Sequence, residues 1–286
     1  MLETKRKENG MDFSKYMIVT DLDGTFLGKG ARMVPRNREA VRRFQAGGGL
    51  FTIATGRLHL NIRSSLGDPA TLVNAPIICC NGAYLYDPTA DAIRDVDFIP
   101  AEDARDILAF LRTHYPELTF RVSSDKSVRV EALDTPAGED TKSFNPGTVE
   151  VHAPAEEWPM DDWVKIVMRG EGERFFEARD RFNELFAHRL TAITSGTRLW
   201  EVQKPEITKA WGLEKLKKAY NGMGNDRIVI VCGDQENDLA MLQAADIAVA
   251  PANAIDAVKA VSMQVFSHCD EGMIADVIEA IEAGKL

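Results

Sequence analysis

The sequence predicts an α/β fold, a doubly wound parallel sheet interrupted by an inserted α+β domain. Three observations carry that expectation. Near both ends of the chain, short apolar runs alternate with amphipathic helical stretches, the pattern of parallel strands covered on both faces. Two of those runs stop directly at acidic, glycine-containing loops, Asp21-Leu22-Asp23-Gly24-Thr25 and Gly233-Asp234-Gln235-Glu236-Asn237-Asp238, and open α/β sheets keep their sites at such strand ends. Between the two halves, residues 88–203 change texture to alternating strands with one polar face.

In chain order, residues 1–14 lack periodicity and are expected to fray, with Met11 an alternative start. Residues 17–20 (MIVT) are the first strand. Pro35 opens a helix with Ala40, Val41 and Phe44 on one face, stopped by Gly47-Gly48-Gly49. Residues 50–54 (LFTIA) and 76–80 (PIICC) are further buried strands. Residues 101–115 form a helix, and 118–123 with 127–133 a hairpin across Ser124-Asp125-Lys126. The Pro-, Gly- and charge-rich stretch 135–159 reads as a long irregular connection. Strand 163–168, helix 172–187 and strands 190–194 and 199–202 complete the inserted block. A helix at 209–220 capped by Thr208, strands 228–232 and 247–250, and helices 255–261 and 272–283 return to the doubly wound pattern. The domain organisation expected is a core of residues 15–87 and 204–286 with an insertion of residues 88–203, hinged near Asp87-Pro88 and Lys204-Pro205.

Composition narrows the class of function. The 286 residues are 45% hydrophobic and 27% charged with a formal net charge of −10, which fits a globular protein and opposes nucleic acid or an anionic membrane as partner. No apolar run is long enough to span a bilayer. The charged residues 1–16 have no apolar stretch of a secretory signal, so a cytoplasmic location is expected. The four cysteines, Cys79, Cys80, Cys232 and Cys269, lack zinc-ligand spacing and read as buried reduced thiols. Oligomeric state is not legible.

Chemistry concentrates at the strand ends. Two carboxylates at i and i+2 in a tight turn repel each other. Asp21 therefore reads as a nucleophile with Asp23 as its acid/base partner around a cation; a solvated acidic turn is the alternative. Asp234 stands at a second strand end with Asp238 one helical turn on, and an Asx-type helix cap is the alternative there. Two such loops at one sheet edge would make a hard-oxygen site suited to Mg²⁺. Thr55-Gly56-Arg57, a hydroxyl and a backbone N–H at the next strand end, suits a phosphate, or simply caps a helix. Lys209 opens a helix, where a solvated lysine is the commoner fate. Asn81-Gly82 follows the third strand as a turn.

Together these residues resemble the haloacid dehalogenase superfamily, and within it the Cof-type sugar-phosphatase branch. The first motif, D-x-D-G-T, is matched by Asp21 to Thr25; the second by Thr55; the third, a lysine opening a helix, by Lys209; and the fourth, G-D-x-x-N-D, by Gly233 to Asp238. Asn81-Gly82 matches the branch's Asn-Gly, and a cap domain falls between motifs two and three as the insertion does here. Where the family shows Met-Gly-Asn-Ala, this chain has Pro251-Ala252-Asn253-Ala254, so only the last two residues match. The resemblance implies a phosphatase acting on a small phosphorylated metabolite such as a sugar phosphate. Asp21 would form an aspartyl-phosphate and Asp23 would serve as acid and base. Mg²⁺ would be held by Asp21, the Asp23 carbonyl and Asp234, with Asp238 on a coordinated water. Thr55, Gly56, Lys209 and Asn237 would bind phosphate, and Arg57, Asn81 and Gly82 would lie on the substrate side. A phosphomutase, or a non-catalytic phospholigand-binding protein, is the alternative for the same fold.

Overall fold

The structure, a computed structural model, describes residues 11–144, 149–194, 198–221 and 227–286. Residues 1–10 of the stretch expected to fray lie outside the described residues. By its internal packing the chain forms two compact units, one of Met1–Ala54, Asp68–Ile77 and Leu216–Leu286, the other of Thr55–Gly67 and Ile78–Lys215.

In the first unit the strands Gln264–Phe266, Ile247–Pro251, Ile228–Cys232, Tyr16–Asp21 and Leu50–Ala54 lie side by side in that order, all parallel. All six residues of Tyr16–Asp21 are buried, which is why its sequence shows a continuous apolar run and no alternation. Register sets the site: Thr20 lies opposite Cys232 on one side, and Asp21 opposite Ala54 on the other. The segments that leave these strands, Leu22 onward and Gly233 onward, therefore emerge together. Helix Pro35–Ala46 begins with its proline and turns Ala40, Val41 and Phe44 inward, packing on helix Met273–Glu282, whose Met273, Ile274, Val277, Ile278 and Ile281 are buried. Buried Asn37 links helix to loop, donating to the Phe26 carbonyl at 3.1 Å and accepting from the Ala275 N–H at 3.0 Å. Phe13, within the stretch expected to fray, is buried; its N–H donates to the Gly47 carbonyl at 2.8 Å and its ring meets Phe44 at 5.0 Å.

The second unit contains a six-stranded sheet in the order Val149–Val151, Val128–Val130, Thr119–Ser123, Lys165–Arg169, Leu199–Gln203 and Thr191–Thr194. It is antiparallel except for the first pair. One face carries Phe120, Val122, Ile166, Met168, Trp200 and Val202 into a core with helices Ala101–His114 and Glu173–Phe186. Trp158, Trp163 and Trp200 belong to this core, where their rings fill the space between sheet and helices. The stretch 135–159 is more ordered than its composition suggests, for it contains helix Pro136–Phe144 and strand Val149–Val151. Thr135 starts that helix, its hydroxyl accepting from the Gly138 N–H at 3.1 Å, and Asp140 ties it to the polar face of the sheet through Arg121 at 2.5 Å and Arg169 at 3.4 Å. A second hairpin, Tyr84–Asp87 with Ala92–Arg94, belongs to the same unit. Among the described residues, no helix is long and apolar enough to cross a membrane.

Candidate active site

The acidic half of the candidate site is built in the first unit. Asp21 ends its strand and Asp234 follows the adjacent one; both are buried, as is Asp238 on the turn Glu236–Asp238. Ligand atoms of the three carboxylates lie within 4.8 Å of one another. Three like charges this close repel by about 3 kcal/mol or more per pair even at an effective dielectric of about 20. The sequence folds into this arrangement because neutral donors brace it. The Thr25 hydroxyl donates to Asp234 Oδ1 at 2.6 Å and Gln235 Nε2 to Asp234 Oδ2 at 3.1 Å. Asp238 Oδ2 accepts the N–H groups of Asp234 at 2.9 Å and Gln235 at 3.0 Å. The cap alternative and the site alternative for Asp238 are thus compatible: the residue fixes the loop that presents Asp234. Gly24 has φ +91°, and a Cβ there would stand 2.7 Å from Asp234 Oδ2, so the turn needs glycine to let this carboxylate in.

These donors are all hard oxygens, buried and gathered, and so fit a divalent cation of the Mg²⁺ type. Asp23, in contrast, is exposed. It lines a cleft of about 550 Å³ with Gly24, Lys29, Asn253, His268 and Asp270. Asn253, the residue kept in the loop that departs from the family pattern, clasps this region: its Nδ2 donates to the Gly24 carbonyl at 2.7 Å and its Oδ1 accepts the Cys269 N–H at 2.9 Å. Asn237 is exposed on the turn Glu236–Asp238.

The second unit holds Thr55, Gly56, Arg57, Asn81, Gly82 and Lys209, singled out in the sequence. Thr55 is buried, and Gly56 and Arg57 are half-buried. The Thr55 N–H donates to the Ile78 carbonyl at 2.8 Å, the Asn81 N–H to the Thr55 carbonyl at 3.0 Å, and the Cys80 N–H to the Arg57 carbonyl at 3.0 Å. The Arg57 N–H donates to Thr55 Oγ1 at 3.1 Å, and Arg57 Nη1 to Ser65 Oγ at 2.6 Å. The Gly56 N–H has no partner among the described residues, as an anion-binding amide should not. Turn Cys80–Gly82 has left-handed φ at all three residues, 50°, 55° and 102°. Burial pushes the Cys80 thiol up to about 11 and the Cys79 thiol well above its ordinary value, so both stay protonated at neutral pH. Lys209 is almost wholly buried at the start of helix Lys209–Asn221, not solvated, and the Thr208 hydroxyl caps that helix through the Trp211 N–H at 3.3 Å.

Gly82 locates the helix. A Cβ on it would lie 2.0 Å from the Thr208 carbonyl oxygen and 2.9 Å from the Gly212 nitrogen, both backbone atoms. Gly82→Ala is therefore expected to lose about 3 kcal/mol of stability or to displace the helix start that carries Lys209. Thermal unfolding read by circular dichroism checks it; an unchanged Tm with unchanged phosphate affinity would contradict this role.

Residues 18–278 match the family of haloacid dehalogenase-like hydrolases. The chain belongs to that family. It is 28% identical over 268 residues to the pyridoxal phosphate phosphatase YbhA of Escherichia coli (strain K12), with 85% of this chain and 90% of that protein covered. It is 27% identical over 286 residues to the 5-amino-6-(5-phospho-D-ribitylamino)uracil phosphatase YitU of Bacillus subtilis (strain 168), with 93% and 97% covered. The crystal structure of a haloacid dehalogenase-like hydrolase from Bacteroides thetaiotaomicron shares its fold with a TM-score of 0.81 at 22% identity, over 93% of this chain and 99% of that one. This member of the haloacid dehalogenase-like hydrolases is a phosphatase, of the Cof-type branch.

Sequence reading of this haloacid dehalogenase-like phosphatase missed Thr25 and Gln235 as braces of Asp234. Both lie inside motifs whose acidic members drew the attention. It also passed over Lys165, whose signal was a single lysine in the apolar run Trp163-Val164-Lys165-Ile166-Val167-Met168.

Proposed function

We propose that the protein is a Mg²⁺-dependent phosphatase that hydrolyses a small phosphorylated metabolite through an aspartyl-phosphate on Asp21. The observation that carries this reading is the buried cluster of Asp21, Asp234 and Asp238 at the ends of adjacent parallel strands. Asp21, Asp234 and the Asp23 carbonyl would hold the cation, with Asp238 positioning the loop and a coordinated water. Bound there, Mg²⁺ supplies positive charge against the carboxylates and the phosphate dianion.

The chain's own residues carry the steps. A carboxylate oxygen of Asp21 attacks phosphorus in line, and the P–O bond to the leaving group breaks. Asp23, protonated, gives its proton to the departing alkoxide. As carboxylate, it then takes a proton from the water that attacks the aspartyl-phosphate, which releases inorganic phosphate and restores both residues. Thr55 Oγ, the Gly56 N–H, Lys209 and Asn237 are the phosphate-binding groups, with Arg57, Asn81 and Gly82 toward the leaving group. The inserted domain, residues 88–203 between hinges at Asp87-Pro88 and Lys204-Pro205, acts as the lid that selects that group.

The substrates in the relatives' names, pyridoxal phosphate and a phosphoribitylamino-uracil, support a small organic monoester, and sugar phosphates are the class we place first. A panel of phosphorylated metabolites with Mg²⁺, scored by phosphate release without any bisphosphate activator, tests the reading. Turnover of one class above the rest supports it. Turnover that appears only with a bisphosphate activator would favour a mutase.

A further inference from the structure

Lys165 and Lys209 are the two buried lysines among the described residues. Lys209 belongs to a family motif; Lys165 belongs to none of the motifs above. It opens strand Lys165–Arg169, opposite Ser123, on the sheet face away from Ile166 and Met168. Its Nζ donates to Glu201 Oε2 at 3.1 Å and to the Gly56 carbonyl at 3.2 Å. A buried ammonium costs free energy that an apolar residue at a strand start would not, so what it touches matters.

We propose that Lys165, neutralised by Glu201, is a positioning residue for the phosphate-binding hydroxyl of Thr55. The Gly56–Arg57 peptide is planar and trans, so its C=O and N–H point in opposite directions. Lys165 pins the C=O, and the N–H on the far side then meets Thr55 Oγ1 at 3.1 Å. A hydroxyl has one donor and two lone pairs. With one lone pair taken by the Arg57 amide, the Thr55 O–H is oriented to donate to an anion. Glu201 pairs with the ammonium at 3.1 Å and aims it. The inserted sheet thereby sets the geometry of the Thr55 loop.

The inference rests on Thr55 being a phosphate ligand, and its test uses inorganic phosphate binding by calorimetry in Mg²⁺, which needs no turnover. In the double variant Lys165→Met/Glu201→Gln, no buried charge is left unpaired. It is expected to keep the wild-type fold and to bind phosphate about tenfold more weakly, the worth of one oriented hydrogen bond. Thr55→Val should weaken binding by a similar factor. Adding the double variant to Thr55→Val should then weaken it no further, a non-additivity that a purely structural role would not produce. On an aryl phosphate the change should fall on KM more than on kcat. Lys165→Arg, which retains charge and donors, should bind phosphate within about twofold of wild type.

A folded double variant with wild-type phosphate affinity, or losses that add fully in the Thr55→Val background, would overturn the relay. If the double variant does not fold, Lys165→Arg decides: folded protein with tenfold weaker binding would overturn it equally, and retained binding supports it. A wild-type chain that binds phosphate yet hydrolyses no ester would instead overturn the proposed reaction and leave the relay standing.

Discussion

Asp21→Asn is expected to abolish turnover, to less than about one part in 10⁴ of wild type, while leaving the fold nearly intact. The substitution is isosteric, and Asp21 sits at the last position of a strand held on both sides by the ladders to Val231–Cys232 and to Ile53–Ala54. The backbone bonds of that position do not involve the carboxylate. What the amide lacks is a nucleophilic oxygen and a negative charge. Removing one of three clustered carboxylates also relieves repulsion, so Tm should hold or rise slightly. Phosphate release and thermal unfolding, measured on the same preparation, check both halves. Near-wild-type hydrolysis by Asp21→Asn would remove the nucleophile from the account.

Chelation is expected to be nearly as severe. EDTA should reduce hydrolysis to background, Mg²⁺ should restore it, and Ca²⁺ should restore it poorly, because calcium takes more ligands at longer distances than an octahedral site of a few carboxylates offers. The electrostatic reason lies in the donor set: three buried carboxylates and an incoming phosphate dianion have too little positive charge near them without a cation. Full activity in excess chelator would contradict this, whatever the substrate.

Much of the fold was legible because burial on both faces leaves a plain signature. Strand Tyr16–Asp21 is apolar from Tyr16 to Val19 and strand Ile228–Cys232 is apolar throughout, and each runs into a polar loop that the hydrophobic pattern cannot explain. The elements that escaped were those lacking that signature. Strand Gln264–Phe266 is mostly exposed and carries no apolar run. Helix Pro136–Phe144 hides among Pro, Gly and charge, and among its described side chains Asp140 ties it to the sheet through ion pairs with Arg121 and Arg169. The acidic residues of the site could be found because carboxylates clustered at strand ends are costly and few other arrangements need them. Their braces could not. That Thr25 bonds Asp234, 209 positions away, or that Lys165 reaches Gly56, depends on tertiary approach, which leaves no local pattern in the chain.

The proposed reaction passes through a covalent phosphoryl group on Asp21, and Asp23→Asn offers the means to see it. An aryl phosphate needs little help in departing, so the first step should proceed in this variant. Hydrolysis of the intermediate, deprived of its base, should slow by about 10²–10⁴-fold. Mixed with an aryl phosphate and Mg²⁺ and quenched in acid, Asp23→Asn should release a burst of one phenolate per active site. The peptide containing Asp21 should then carry the mass of one phosphoryl group, absent when Asp21→Asn is added. A burst with the phosphoryl group on another residue, or phosphate release under these conditions with Asp21 unmodified at every quench time, would contradict the mechanism.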